Sequence, residues 1–124
     1  MTSAEDMLVW LRAAMDTAEQ LAQAAAERAW SPHWEWDHCV REIRDLNNAN
    51  ELANIWHREV GNFVEANDPA AVLRRIAADR KLLAECVAAF DWDNWGATSL
   101  AESTIRHVAE GYGWTEETAC PTPS

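Results

Sequence analysis

Histidine and cysteine are the residues of this sequence that could ligate a metal, and they are widely spaced. Structural zinc sites usually take paired ligands, such as Cys-x-x-Cys or two histidines one helical turn apart, and neither spacing occurs here. His38 and Cys39 are adjacent, so on a strand their side chains would point to opposite faces. We therefore predict no metal site and no cofactor; if zinc is bound, His33 and His38 are the expected ligands. The full set is His33, His38, Cys39, His57, Cys86, His107 and Cys120.

Motifs that would support catalysis are missing from the sequence. With only four glycines, the chain contains no Gly-x-Ser-x-Gly elbow, no phosphate-binding loop and no dinucleotide fingerprint. Cys86 has Leu83 and Val87 as its helical neighbours, which is typical of a small buried apolar side chain and not of an activated thiolate. Acidic pairs are expected by chance among 21 acidic residues. We predict that the protein is not an enzyme.

Tryptophan is the residue type that most suggests a binding surface. Trp92 and Trp95 lie three residues apart in the short acidic segment 91–96, where two rings cannot easily both be buried. Because tryptophan is favoured at binding hot spots, an aromatic pair beside Asp91 and Asp93 suits a basic, partly apolar protein surface. The candidate partner-binding residues are therefore Trp92, Trp95, Asp91 and Asp93. The alternative is that both rings fold back to cap the helices.

The charge balance limits the possible partners. A formal net charge of -11 argues against direct binding to nucleic acid or to an anionic membrane, because both require a basic face. The segment 69–90 differs, since Arg74, Arg75, Arg80 and Lys81 outnumber its two acidic residues. Three cysteines, with no signal peptide and no long apolar run, suit a reducing cytoplasm.

The apolar pattern first predicts a long helix and then a small sheet. Ser3 and Asp6 resemble a capping box, and an apolar face repeats from Leu8 through Met15 to Ala29, before Pro32 ends the helix. This face packs within the monomer or pairs with a second copy. Strands are then predicted at Trp34–His38, Val40–Asp45 and Leu52–Trp56, with the asparagine-rich segment 47–50 as a turn. A helical interpretation of Glu51–Ala66 stays open, with Leu52, Trp56, Val60 and Phe63 on one face.

Two further helices complete the prediction. Asp68-Pro69 is an N-cap followed by proline at the first helical position, and the helix it begins should end near Phe90. Ser99 with Glu102 should cap the last helix, which the glycines at 111 and 113 end. We predict one compact α+β domain over residues 1–117, mostly helical, with a small antiparallel meander and a disordered tail at 118–124. Its core should contain Trp10, Trp56 and one of Trp34 and Trp36.

The segment from Asp68 to Leu83, and above all Asp68-Pro69-Ala70-Ala71-Val72-Leu73-Arg74-Arg75, resembles a family of small proteins of unknown function from actinobacteria and their phages. This resemblance implies an origin and a fold, not an activity. Many members of the family have a histidine immediately before Asp-Pro, where this chain has Asn67. They also have a cysteine-rich stretch before the last helix, where the segment 91–96 of this chain has no cysteine. A metal site of the relatives would therefore not carry over to this chain.

We therefore expect a non-enzymatic, cytoplasmic accessory protein, encoded by a phage, that binds a host or phage protein through an acidic, tryptophan-bearing surface. One alternative is a DNA mimic, whose carboxylates imitate phosphates and block a nucleic-acid-binding protein. A second is a structural homodimer formed through the N-terminal helix.

Overall fold

The computed structural model describes residues 3–46 and 51–116, which form four helices and a three-stranded sheet. The predicted α+β class, mostly helical with a small antiparallel meander, is confirmed. The chain forms two compact units, Ala18–Ile76 and a second made of Met1–Thr17 with Ala77–Ser124. The elements are α1 (Ala4–Ala29), β1 (Trp34–Asp37), β2 (Glu42–Asp45), β3 (Glu51–Asn54), α2 (Arg58–Ala66), α3 (Pro69–Ala89) and α4 (Trp95–Gly111).

Helix α1 begins and ends where the sequence predicts. The hydroxyl of Ser3 accepts a hydrogen bond from the backbone N–H of Asp6 at 3.1 Å, which caps the first turn. Trp30 follows the helix with a positive φ of 63°, and Pro32 keeps the chain from continuing as a helix. The predicted apolar face is buried at Leu8, Leu11, Met15, Ala22 and Ala29.

The sheet in the unit Ala18–Ile76 is an antiparallel meander of order β1-β2-β3. Trp36 pairs with Ile43, and Ile43 with Ala53, before a bulge shifts the register of the second pair of strands. The second and third strands are shorter than predicted, because residues 38–41 form a turn and Ile55 follows β3. The predicted asparagine turn lies outside the described residues.

The helical interpretation of Glu51–Ala66 is correct only from Arg58, where α2 begins. Trp36 explains how α2 packs on the sheet. Its indole Nε1 donates to the carbonyl of Ile55 at 3.0 Å, and its backbone N–H donates to Glu65 Oε1 at 2.9 Å. Gly61 packs against this indole so closely that an added Cβ would overlap the ring. Glycine is therefore required where α2 passes over Trp36.

Asp68 connects the start of α3 to the sheet. Its Oδ1 accepts from the backbone N–H of Ala71 at 2.9 Å, which is the predicted N-cap, and its Oδ2 accepts from the backbone N–H of Trp34 at 3.1 Å. Pro69 is the first helical residue. One buried carboxylate thus satisfies two backbone donors that would otherwise have no partner.

The predicted tryptophan core is only partly correct. Trp56 follows β3 and is 69% exposed, and the guanidinium of Arg41 lies over its ring, with Cζ 4.8 Å from the centroid. Trp114, which the prediction omitted, is buried and meets Trp10 edge to face, with ring centroids 5.2 Å apart. Trp34 and Trp36 are both half-buried.

Helix α4 begins four residues before the predicted start at Ser99, so that prediction is wrong. Asn94 has an extended backbone, and its side chain accepts from the N–H of Ala97 at 3.0 Å. Because this amide supplies the cap, Ser99 is already inside the helix. The helix ends at Gly111, as predicted, and Gly113 has a φ of 105°. The predicted tail at 118–124 lies outside the described residues.

Among the helices of the described residues, none has an apolar stretch long enough to cross a membrane.

Candidate functional site

The connection between α3 and α4 carries the predicted partner-binding residues. After α3 ends, the backbone N–H of Trp92 donates to the carbonyl of Ala89 at 3.2 Å, and the N–H of Asn94 donates to the carbonyl of Trp92 at 2.8 Å. These hydrogen bonds form a tight turn of a few residues. The sequence predicted a loop at Trp95, but this residue lies in the first turn of α4.

Both tryptophan rings of this connection face solvent. Trp92 is 61% exposed and Trp95 is 86% exposed, so neither ring caps the helices as the alternative interpretation held. Asp91 and Asp93 are exposed beside them. Tryptophan is mostly buried in folded domains. Trp30 and Trp56 are similarly exposed in this chain, so exposure alone does not distinguish the pair.

Trp92 forms one end of an apolar groove between α3 and α4, which we call the α3–α4 groove. Its volume is about 200 Å³. Leu82 and Leu100 are exposed along its walls, although both are large apolar side chains. The lining residues are Leu82, Glu85, Cys86, Ala89, Trp92, Ala97, Leu100, Ala101 and Thr104.

Ionisable groups in the groove do not favour nucleophilic chemistry. Burial, with a smaller contribution from the charge of Glu85, raises the pKa of the Cys86 thiol above its usual 9.0. The thiol is therefore protonated at neutral pH and behaves as a small apolar group, as the sequence predicts. The carboxylate of Glu85 is exposed at the edge of the groove.

The structure brings the predicted residues together only in part. Trp92 lines the groove, whereas Trp95, Asp91 and Asp93 lie next to it in the chain and do not line it. Sequence reasoning missed Leu82 and Leu100. The sequence does contain a sign of them, because each leucine lies outside the apolar face predicted for its helix. A large apolar residue in that position is not needed for the core.

A second group of functional side chains lies at the turn between β1 and β2, and we call Asp37, His38 and Cys39 the turn cluster. The prediction that His38 and Cys39 point apart is wrong, because β1 ends at Asp37 and the alternation of a strand ends with it. Cys39 Sγ lies 3.6 Å from His38 Nε2, and the Cys39 N–H donates to Asp37 Oδ1 at 2.8 Å. This hydrogen bond lowers the pKa of Asp37.

His33 does not join the turn cluster. It lies before β1, where its backbone N–H donates to the hydroxyl of Ser31 at 3.1 Å. The predicted pair His33 and His38 therefore stands at opposite ends of β1, a strand of four residues. A strand of that length extends about 10 Å, which is too far for two ligands of one ion.

Comparison with known proteins gives a family and no activity. No curated protein matches the chain significantly, and no solved structure does. A family of unknown function, DUF6221, matches residues 4–113, which include every helix and strand described above. The chain therefore belongs to the DUF6221 family.

Proposed function

We propose that this protein is a non-enzymatic accessory protein that binds a basic, partly apolar segment of another protein in the α3–α4 groove. The observation that carries the proposal is the exposure of Trp92, Leu82 and Leu100 around one groove. Exposed apolar side chains that cluster in this way mark interaction sites more often than isolated ones do.

The size of the groove favours a side chain over a small molecule as its occupant. Pockets for small ligands usually measure about 300 to 1,000 Å³, whereas this groove measures about 200 Å³. That volume suits one or two anchoring side chains from a partner helix, which is a common mode of recognition. The exposed indoles of Trp92 and Trp95 would then enlarge the contact beyond the groove.

The charges around the groove favour a basic partner. Glu85 lines it, and Asp91 and Asp93 are exposed in the adjoining turn. Lys81 precedes Leu82, but the three carboxylates outnumber this one cation. Complementary charge would speed association and discourage acidic partners, while the apolar contacts would supply most of the affinity.

We further propose that the protein acts in the cytoplasm of an actinobacterium and is encoded by a phage. Of the ten basic residues, only Lys81 is a lysine, so the sequence strongly prefers arginine. A GC-rich genome tends to produce that preference, which agrees with an actinobacterial source but does not itself identify one.

The test is capture of partners from an actinobacterial lysate by three forms of the full chain: wild type, a Trp92→Ala/Trp95→Ala variant and Trp56→Ala. Trp56 is a matched control, because its exposure of 69% lies between those of Trp92 and Trp95 and it follows β3, far along the chain from the connection between α3 and α4. We expect a protein that the first and third forms retain and that the double variant loses. Cross-linking should place a basic, apolar segment of it at Leu82 or Leu100.

Three outcomes would overturn the proposal. A partner retained equally by the double variant would show that the tryptophans do not bind it. Retention that salt abolishes and that both tryptophan substitutions leave unchanged would favour DNA mimicry instead. A stable dimer at micromolar concentration, with no other protein retained, would favour the structural homodimer.

A further inference from the structure

We propose that the turn cluster, Asp37, His38 and Cys39, binds one divalent ion of the zinc class. All three side chains offer a ligand atom, and these atoms lie within 4.8 Å of one another. The cluster is in the unit Ala18–Ile76, on a different segment of the chain from the α3–α4 groove. The inference therefore goes beyond the proposed function and does not depend on it.

The distance between sulfur and nitrogen fits a tetrahedral ion. Zinc lies about 2.3 Å from a cysteine sulfur and about 2.0 to 2.1 Å from a histidine nitrogen, so at the tetrahedral angle these ligands are about 3.5 Å apart. Cys39 Sγ and His38 Nε2 are 3.6 Å apart. The spacing of these two atoms therefore matches that of two ligands of one tetrahedral ion.

The backbone holds the three residues in this arrangement. The N–H of Arg41 donates to the carbonyl of Asp37 at 2.7 Å and closes the turn, while Arg41 itself takes a positive φ of 58°. The carbonyl of Arg41 then accepts from the N–H of Ile55 at 2.9 Å, which ties the turn to the chain after β3. Because these hydrogen bonds fix the backbone of the turn, ligation would have to order only the side chains.

Nearby cations are already engaged by other groups. Arg44 donates to Glu42 Oε2 from two nitrogens, at 3.0 and 2.9 Å, and its third nitrogen is 4.0 Å from Asp37 Oδ2. The guanidinium of Arg41 lies over the ring of Trp56. Glu42 thus offsets the charge of Arg44 beside the cluster carboxylate.

The donor set selects the class of ion. Magnesium and calcium prefer oxygen ligands, whereas a thiolate with an imidazole favours zinc and related transition metals. Three protein ligands leave a fourth tetrahedral position for water or for a group from a partner. The exposure of His38 and Cys39 leaves that position accessible.

The test uses Co²⁺ as a spectroscopic probe on the metal-free full chain, kept reduced with a phosphine. We expect a near-ultraviolet charge-transfer band from thiolate to cobalt that saturates at one equivalent and disappears when Zn²⁺ is added. Cys39→Ser should abolish the band, whereas Cys120→Ser should retain it. His38→Gln should weaken Co²⁺ binding at least about tenfold, since loss of even an outer contact of a metal site can have this effect.

Circular dichroism separates loss of binding from loss of folding, because substitutions at two exposed turn residues should leave the helical signal unchanged. A band that is absent from the wild type, or that persists in Cys39→Ser, would overturn the proposal. Trp95→Ala should retain the band, so failure of the metal site and failure of the proposed function give different results.

Discussion

Replacing Gly61 with alanine should destabilise the protein, although alanine is the better helix former. The new Cβ would overlap the indole of Trp36. The ring cannot easily move away, because its Nε1 donates to the carbonyl of Ile55 and the backbone N–H of Trp36 donates to Glu65 Oε1. Relief of the overlap therefore requires α2 to shift on the sheet or these hydrogen bonds to break.

The expected change in the free energy of unfolding combines one stabilising and two destabilising contributions. Alanine should gain about 1 kcal/mol over glycine within a helix. Overpacking usually costs about 1 to 3 kcal/mol, and each hydrogen bond lost adds about 1 kcal/mol. We expect Gly61→Ala to lower the free energy of unfolding by about 2 kcal/mol, a large part of the total for a domain of this size.

Urea denaturation followed by far-ultraviolet circular dichroism measures this difference, and Gly111→Ala is the matched control. Gly111 ends α4 with no atom within 4 Å of an added Cβ, so alanine there should leave the protein as stable or up to about 1 kcal/mol more stable. If Gly61→Ala matched or exceeded the wild type in stability, the packing of Trp36 on α2 described above would be wrong.

Three further predictions concern Asp68, Cys86 and Trp95. Asp68→Ala should lower the free energy of unfolding by about 2 to 3 kcal/mol, because it removes a helix cap and leaves a strand N–H unpaired, while Asp68→Asn should cost less in urea denaturation. Because the pKa of Cys86 is raised on folding, its contribution to stability is complete below pH 9.0 and declines as the pH rises further. The free energy of unfolding of Cys86→Ala should therefore fall less steeply than that of the wild type at alkaline pH. Trp95→Ala should leave the thermal midpoint unchanged, since Trp95 is 86% exposed.

Much of the fold could be predicted because local chemistry and apolar pattern agree. Ser3 at the start of α1, and Asp68-Pro69 at the start of α3, have the capping residues that the structure uses. Apolar and polar residues alternate strictly in the segment of Trp34 and Trp36, and this segment forms β1. The start of α4 was missed because two capping patterns compete there, and the amide of Asn94 takes the role before Ser99 can.

The sites could be predicted less well, because they depend on distances between elements. The exposure of Trp92 follows from its place in a tight turn, but the leucine walls of its groove appear only once α3 and α4 are side by side. The turn cluster was missed for a more local reason. Sequence reasoning extended the strand through His38, whereas it ends at Asp37, and that single residue decides whether His38 and Cys39 diverge or meet.

If the α3–α4 groove binds a basic, partly apolar segment, Trp92 should contribute much of the affinity. Trp92 is 61% exposed, so a partner can cover about 150 Å² of its indole, which corresponds to at most about 4 kcal/mol. Since only part of such a gain appears as affinity, Trp92→Ala should weaken binding by about 2 kcal/mol, or about thirtyfold.

The most direct measurement is a nuclear magnetic resonance titration of the full chain with a helical peptide of leucine and lysine, and with its leucine and glutamate counterpart. We predict that the lysine peptide shifts the amide signals of Leu82 and Leu100 and the indole signal of Trp92, and that the glutamate peptide shifts none of them. Equal shifts with both peptides, or shifts confined to the exposed side chains of Trp56 and Phe63, would contradict the claim.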